Sequence, residues 1–129
     1  MKTIKKDYTI NASVEKVWEA LVNPKVINEW GGGPAVMDDK ENSKFTLWGG
    51  EIHGSNIRVI RNKQLKQEWF GGKWDKMSIV TFKLVPNGRQ TLLQLTHTDV
   101  PDREHKGIDE GWDSYYLGPL KELLEQNAV

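Results

Sequence analysis

The sequence of 129 residues contains no cysteine, which excludes disulfides, thiolate metal sites and a cysteine nucleophile. Neither sign of charge is in excess, because Lys+Arg and Asp+Glu both number 18, and this argues against nucleic acid as the main partner. No stretch approaches the roughly 20 apolar residues of a membrane helix, and the opening MKTIKKDYTI lacks the apolar run of a signal peptide. We therefore expect a cytoplasmic protein without membrane insertion.

What the sequence has in quantity is tryptophan, with 6 residues against 3 tyrosines and 3 phenylalanines. Tryptophan side chains bury large areas and often line ligand pockets, although they also fill ordinary cores. The length is that of one domain, and no linker interrupts the pattern. We expect residues 1–129 to form a single domain.

The N-terminal third predicts one strand and two short helices. Apolar and polar residues alternate over 3–11, which is typical of a strand. Ser13 can cap a helix that ends at Asn23-Pro24, and Pro24 can begin a second helix that reaches Trp30. The run Gly31-Gly32-Gly33-Pro34 then interrupts regular structure.

Residues 35–98 alternate between short apolar stretches and turn residues, which predicts strands at 45–48, 51–60, 64–70, 76–85 and 91–98. The apolar parity changes between Ile52 and Ile57, so we expect a β-bulge, with Gly54 as its place. Pro86-Asn87-Gly88 is a hairpin turn signal. Because helices bracket the strands without β-α alternation, the expected class is α+β with an antiparallel sheet.

The last segment predicts a long amphipathic helix with a proline at its centre. VPDREHKG reads as a loop, Asp109 is the expected cap, and the helix should run to about Asn127. Trp112, Tyr116 and Leu120 form its apolar stripe. Pro119 would remove a helical hydrogen bond at a cost of roughly 3 kcal/mol, so we expect a bend at Gly118-Pro119.

Few residues are candidates for metal binding or catalysis. The three histidines form no metal-binding motif, so we expect no metal and no cofactor, and no residue is assigned a catalytic role. His97 shares a strand face with Leu93 and Leu95. It is therefore either a core histidine hydrogen-bonded to the backbone or a polar anchor inside a cavity.

The order of these motifs resembles the activator of heat shock protein 90 ATPase homologue family, in its C-terminal-domain type, within the START-like (SRPBCC, Bet v 1-like) superfamily. The matching stretches are Phe45-x-Leu47-Trp48-Gly49-Gly50-x-Ile52-x-Gly54, Gln67-Glu68-Trp69 with Trp74, Val80-Thr81-Phe82, Thr91-x-Leu93-x-Leu95, Val100-Pro101, Gly111-Trp112-x-x-Tyr115-Tyr116, and in the first helices Val17-Trp18 and Trp30. The resemblance implies a helix-grip fold, in which a curved antiparallel sheet of six to seven strands and the long C-terminal helix enclose a hydrophobic cavity.

The resemblance also implies a function, a non-enzymatic binding module for a lipophilic small molecule such as a lipid, a polyketide or a flavonoid-like compound. We expect the protein to act as a monomer. The residues expected to line the cavity are Trp30, Phe45, Leu47, Trp69, Phe82, Leu95, His97, Trp112, Tyr116 and Leu120.

Two alternatives stay open. The chain could be a protein-interaction module or a co-chaperone that stimulates a heat shock protein 90-type ATPase in a stress response, with Trp48 and Trp74 as interface anchors in exposed Trp-Gly turns. The resemblance implies that the eukaryotic activator makes its main chaperone contact through a separate N-terminal domain, of which we expect no counterpart within these 129 residues. The chain could also be a START-like cyclase or hydrolase, in which His97 or Glu51 would act as acid or base.

Overall fold

The computed structural model describes residues 1–72, 74 and 76–126. One antiparallel sheet is formed by β1 (Lys2–Ile10), β2 (Lys44–Leu47), β3 (Ile52–Ile60), β4 (Gln64–Gly71), β5 (Ser78–Asn87) and β6 (Gln90–Val100), in the spatial order β1-β6-β5-β4-β3-β2. The helices are α1 (Val14–Val22), α2 (Pro24–Trp30), α3 (His105–Gly111) and α4 (Gly118–Gln126), with a π-helical turn at Trp112–Leu117 and 3-10 turns at Trp48–Gly50 and Asp102–Glu104. The predicted α+β class and helix-grip architecture are confirmed.

The sheet buries one face of each central strand, as its two-residue periodicity predicts. In register, Phe82 pairs with Leu95 and Val80 pairs with His97, and all four are at most 1% exposed. β5 and β6 are joined by the two-residue turn Gly88-Arg89, so the predicted hairpin is confirmed. The core fills the space between this face and the helices. None of the helices within the described ranges is both long and apolar enough to cross a bilayer.

The bulge in β3 lies at a different place from the one predicted. The register with β4 shifts between Asn56 and Arg58 rather than at Gly54. The shift accompanies a fully buried Asn56, whose amide donates to the Asp38 carbonyl at 2.8 Å. Gly54 is required for another reason, because a Cβ there would lie 1.7 Å from the carbonyl oxygen of Glu68 on the neighbouring strand. The change of apolar parity predicts an irregularity within β3, but its position depends on the buried amide of Asn56.

The two N-terminal helices begin and end at the predicted residues. The Ser13 side chain accepts from the Lys16 N–H at 3.4 Å, and the Asn23 side chain accepts from the Lys25 N–H at 3.0 Å. Gly31 ends α2 in the left-handed conformation, at a φ of 104°. The Trp30 indole donates to the Ala20 carbonyl at 2.9 Å, which fastens α2 to α1.

The C-terminal helix begins earlier than predicted. It starts at His105, so Asp109 lies inside the helix and is not its cap. Both acidic residues pair with Lys6 on β1. Its ammonium group forms ion pairs with Asp109 and, at 2.8 Å, with Asp113. These contacts tie the helix to the first strand. The end predicted near Asn127 falls outside the described residues, and α4 is described to Gln126.

The π-helical turn lies directly before Gly118-Pro119. In a π-helix the hydrogen bonds run to the carbonyl five residues back, so the turn holds one residue more than an α-helical turn. Gly118 stands five residues after Asp113, and a Cβ on Gly118 would lie only 2.1 Å from the Asp113 carbonyl oxygen. The chain therefore accommodates Pro119 by widening the preceding turn, and that widened turn requires glycine at its end.

Candidate ligand-binding cleft

A cleft of about 620 Å³ opens between the sheet and the C-terminal helix, within the size range of small-molecule sites. It is formed where the ends of β2, β3 and β4 approach α3 and the π-helical turn. We call it the aromatic cleft, and it is lined by Trp48, Glu51, Ile52, Trp69, Gly71, Gly72, Trp74, Ile108, Gly111, Trp112, Tyr115 and Tyr116.

Three of these aromatic rings pack tightly together and form the floor of the aromatic cleft. Trp69 and Trp112 stack with ring centroids 4.9 Å apart, and the Tyr116 centroid lies 4.7 Å from that of Trp112. All three side chains are at most 3% exposed. The rim is more open, because Trp48 and Trp74 are half-buried and Tyr115 is 68% exposed.

A chain of buried amides orients Trp69. Its indole N–H donates to the Gln67 side-chain oxygen at 2.8 Å, and the Gln67 amide donates to Asn56 Oδ1, also at 2.8 Å. Both amides are fully buried, so these bonds satisfy polar groups that have no access to water. The bulge at Asn56 thereby fixes the ring of Trp69 on the cleft floor.

His97 orients Trp112 in the same way. The Trp112 indole N–H donates to His97 Nδ1 at 3.0 Å, and His97 Nε2 lies 2.7 Å from Ser78 Oγ. Because Nδ1 accepts a hydrogen bond, the neutral ring carries its proton on Nε2 and donates it to Ser78. Burial lowers the pKa of His97 from 6.5 to about 4. His97 is thus a neutral core histidine whose ring is held by two side chains, Trp112 and Ser78, rather than by the backbone.

The amino-acid sequence of the chain matches a known protein family over almost the whole chain. Residues 11–125 match the sequence model of the activator of Hsp90 ATPase homolog 1-like protein family. The chain belongs to this family. The resemblance drawn from the sequence motifs is thereby confirmed.

The curated relatives are longer than this chain. The activator of 90 kDa heat shock protein ATPase homolog 2 of Mus musculus is 25% identical over 120 residues, which cover 92% of this chain and 36% of that protein. The chain spans about a third of the length of the curated relatives it matches.

Many solved structures share the fold, and two of them differ in setting. The Aha1 dimer of Colwellia psychrerythraea has a TM-score of 0.83 at 22% identity, with 97% of each chain covered. DynU16, from the dynemicin biosynthetic locus, has a TM-score of 0.81 at 19% identity, covering 98% of this chain and 48% of that one. A dimer is therefore seen in one structural neighbour.

Three of the ten predicted cavity residues, namely Trp69, Trp112 and Tyr116, line the aromatic cleft of this family member. The other seven lie in the core outside the lining, each at most 5% exposed: Trp30, Phe45, Leu47, Phe82, Leu95, His97 and Leu120. Some support the floor directly, since the Trp30 centroid lies 4.5 Å from that of Tyr116.

Sequence reasoning did not assign most of the rim to the cavity. The sequence pattern does not assign Ile52, Ile108, Tyr115 or the lining glycines to a cavity, and it predicts Trp48 and Trp74, in their Trp-Gly turns, as interface anchors. That turn signal could have found the cleft, because the structure brings both tryptophans to the same opening. Within the described residues, no group of three His, Cys, Asp or Glu side chains is placed to hold a metal ion.

The Tyr116 hydroxyl is buried without a hydrogen-bond partner among the described residues. Burial raises the pKa of this phenol well above its usual range, so the group stays protonated and still has no acceptor. An unpaired buried polar group is a net cost to the folded state.

Replacing Tyr116 by phenylalanine is therefore expected to raise the free energy of unfolding by about 1 kcal/mol, because the desolvated hydroxyl is removed and the ring is kept. Urea denaturation measures the change. Tyr115→Phe is the matched control, since its hydroxyl sits on a 68% exposed side chain and should contribute little. A loss of stability in Tyr116→Phe would show that the hydroxyl has a partner after all.

Proposed function

We propose that the chain is a non-enzymatic binding module for a lipophilic small molecule, which enters the aromatic cleft. The observation that carries the proposal is the lining, in which six of twelve residues are aromatic and two more are isoleucine. Small-molecule sites are concave and mostly apolar, with a few polar groups that fix orientation. Glu51, exposed at the rim, is such a group.

The floor and the rim have different roles in this proposal. The floor rings are fixed by hydrogen bonds from Trp69 to Gln67 and from Trp112 to His97, which makes a preformed surface. The rim exposes aromatic area that a soluble domain would otherwise cover, most of all at Tyr115. A ligand that covers the rim removes this area from water. Lipids, polyketides and flavonoid-like compounds have the required apolar surface, and the likeness to DynU16 supports a small-molecule setting.

Filling the cleft from the helix side tests the proposal. Gly111 lines the cleft with helical dihedral angles, and a Cβ there would meet only the Tyr115 ring, at 3.8 Å. Leucine at this position should project into the cleft without backbone strain. We expect Gly111→Leu to weaken binding at least ~10-fold and to leave the melting temperature unchanged or higher, because leucine favours a helix over glycine.

Gly107→Leu is the matched control. It lies on the same helix outside the cleft lining, and a Cβ there would have nothing within 4 Å. Amide NMR titration with a fatty acid, a sterol and a flavonoid should shift residues 111–116 and Trp69 in the wild type and in Gly107→Leu, but not in Gly111→Leu. Absence of saturable shifts with every compound in the wild type, or equal shifts in both variants, would overturn the proposal.

A second candidate is a co-chaperone role. It is favoured by the name of the mouse relative and by exposed apolar side chains, with Tyr115 at 68% and Val36 at 61%. Stimulation of a heat shock protein 90 ATPase by the purified chain would support it, and Tyr115→Ser should then reduce the stimulation. Sedimentation in the same buffer would decide between the expected monomer and the dimer seen in the Colwellia psychrerythraea protein.

A further inference from the structure

We propose that the molecule bound in the aromatic cleft carries an organic cation, a quaternary or protonated amine, which sits against the half-buried ring of Trp48 beside Glu51. The inference rests on the proposed function and adds the charge and the shape of the ligand's head group. It is carried by the electrostatics of the lining, by the engagement of the indole N–H groups and by the angles between the rings.

Among the described residues, the lining of the cleft carries charge of one sign. Glu51 is the one acidic or basic side chain among the described residues that line the cleft, and it is exposed at the rim. No lysine or arginine belongs to the described lining, and His97, which lies behind Trp112, is held neutral by burial. An anionic head group would meet Glu51 with no compensating cation among the described lining residues, whereas a cationic head group would be paired by it.

Three of the four tryptophans in the described lining have their indole N–H donors engaged inside the protein. The Trp48 indole donates to the Gly31 carbonyl at 2.9 Å, that of Trp69 to Gln67 and that of Trp112 to His97. With these donors engaged inside the protein, they are not available to a ligand acceptor. The remaining feature of an indole ring is its negative π face, which attracts cations more strongly than any other aromatic side chain does.

The rings stand at angles that fit a rounded group. Tyr116 is inclined by 33° to Trp69 and by 43° to Trp112, whereas Trp48 stands at 74° to Tyr116 with centroids 6.1 Å apart. A flat ligand fills a slot between parallel rings, but a wall almost perpendicular to a floor receives a compact head such as a trimethylammonium group. Aromatic walls that meet at an angle, with a carboxylate nearby, are the arrangement in which proteins recognise such cations.

A pair of isosteres separates charge from shape. The probes are (3-hydroxyphenyl)trimethylammonium and its neutral carbon analogue 3-tert-butylphenol, which have nearly the same size and are both soluble in water. Isothermal titration calorimetry of the whole chain at low ionic strength should give at least ~10-fold tighter binding of the cation. Because Glu51 is exposed, this preference should shrink as salt is added.

Two variants locate the effect. Glu51→Gln should reduce the preference for the cation several-fold, whereas Glu122→Gln, an exposed carboxylate on α4 outside the cleft lining, should leave it unchanged. Trp48→Leu keeps apolar volume but removes the π face, so it should lower affinity for the cation more than for the phenol. Trp48→Phe, which restores a π face, should recover part of the loss.

The outcomes distinguish this inference from the function on which it rests. Tighter cation binding that is lost in Gly111→Leu and weakened in Glu51→Gln supports it. Equal or tighter binding of the neutral phenol overturns the inference and leaves the binding module intact. Failure of both probes and of the lipophilic panel to bind overturns both. Cation binding that persists in Gly111→Leu would place the cation elsewhere and overturn the inference as well.

Discussion

Alanine in place of Gly118 is expected to lower the free energy of unfolding by about 3 kcal/mol, because the added methyl group would overlap the backbone. The Cβ would stand 2.1 Å from the carbonyl oxygen of Asp113, a distance that real Cβ contacts do not reach. Neither partner can move alone, since the oxygen belongs to the π-helical turn and Pro119 fixes the dihedral angle of the next residue. The helix would have to rebuild this turn, which carries Trp112 and Tyr116 to the cleft floor.

Gly107→Ala is the control for the intrinsic effect of alanine in this helix. A Cβ there has nothing within 4 Å, so the substitution should be neutral or raise stability by about 0.5–1 kcal/mol. Urea titrations of the wild type and both variants measure the difference. If Gly118→Ala is as stable as Gly107→Ala, glycine is not required by the widened turn, and the explanation given for Pro119 is wrong.

Acidification from pH 7 to pH 4 is expected to remove about 3 kcal/mol of stability through His97 alone. The folded protein holds its pKa near 4, against 6.5 for a free histidine, because burial disfavours the imidazolium. The unfolded chain therefore binds a proton at a higher pH than the folded chain does. The stabilising contribution is complete well above pH 6.5, falls as the pH drops towards 4, and levels off within about one pH unit below that value.

His97→Asn separates this effect from the titration of carboxylates. The asparagine oxygen can accept from the Trp112 indole in place of Nδ1, but the side chain does not titrate. Between pH 7 and pH 4, the wild type should lose about 3 kcal/mol more than the variant loses. NMR of the His97 ring provides a direct check, and a titration of the folded protein near pH 6.5 would contradict the expectation.

Much of the fold could be predicted from the sequence because it follows from local patterns. Alternation placed Leu65, Gln67 and Trp69 on one face of β4, and all three are buried. The caps at Ser13 and Asn23 and the turn after Asn87 depend on residues that are neighbours in the chain. Each of these features is decided within about ten residues, which is the range in which periodicity and turn chemistry are informative.

The features that could not be predicted depend on contacts between distant residues. The bulge is set by the buried amide of Asn56, which bonds to Asp38 and to Gln67 on different segments. The start of the last helix at His105 has no side-chain cap to mark it. In the cleft, strand and helix spacing predict that Trp69, Trp112 and Tyr116 face the core. The rim residue Trp48 lies in a turn, and no periodicity in the sequence predicts where a turn directs its side chains.

The pairing of the first strand with the last has a consequence for synthesis of the chain. Ile10 pairs with Thr91 and Lys2 with Val100, so β1 leaves the ribosome about 80 residues before β6, its neighbour in the described sheet, exists. During that time both of its edges are open to other chains. Lys2, Lys5, Lys6 and Asp7 place four charges on this strand of nine residues, and charge on an open strand edge opposes pairing with foreign strands. Substitutions that make this strand more apolar would therefore affect the yield of the nascent protein before they affect the stability of the folded one.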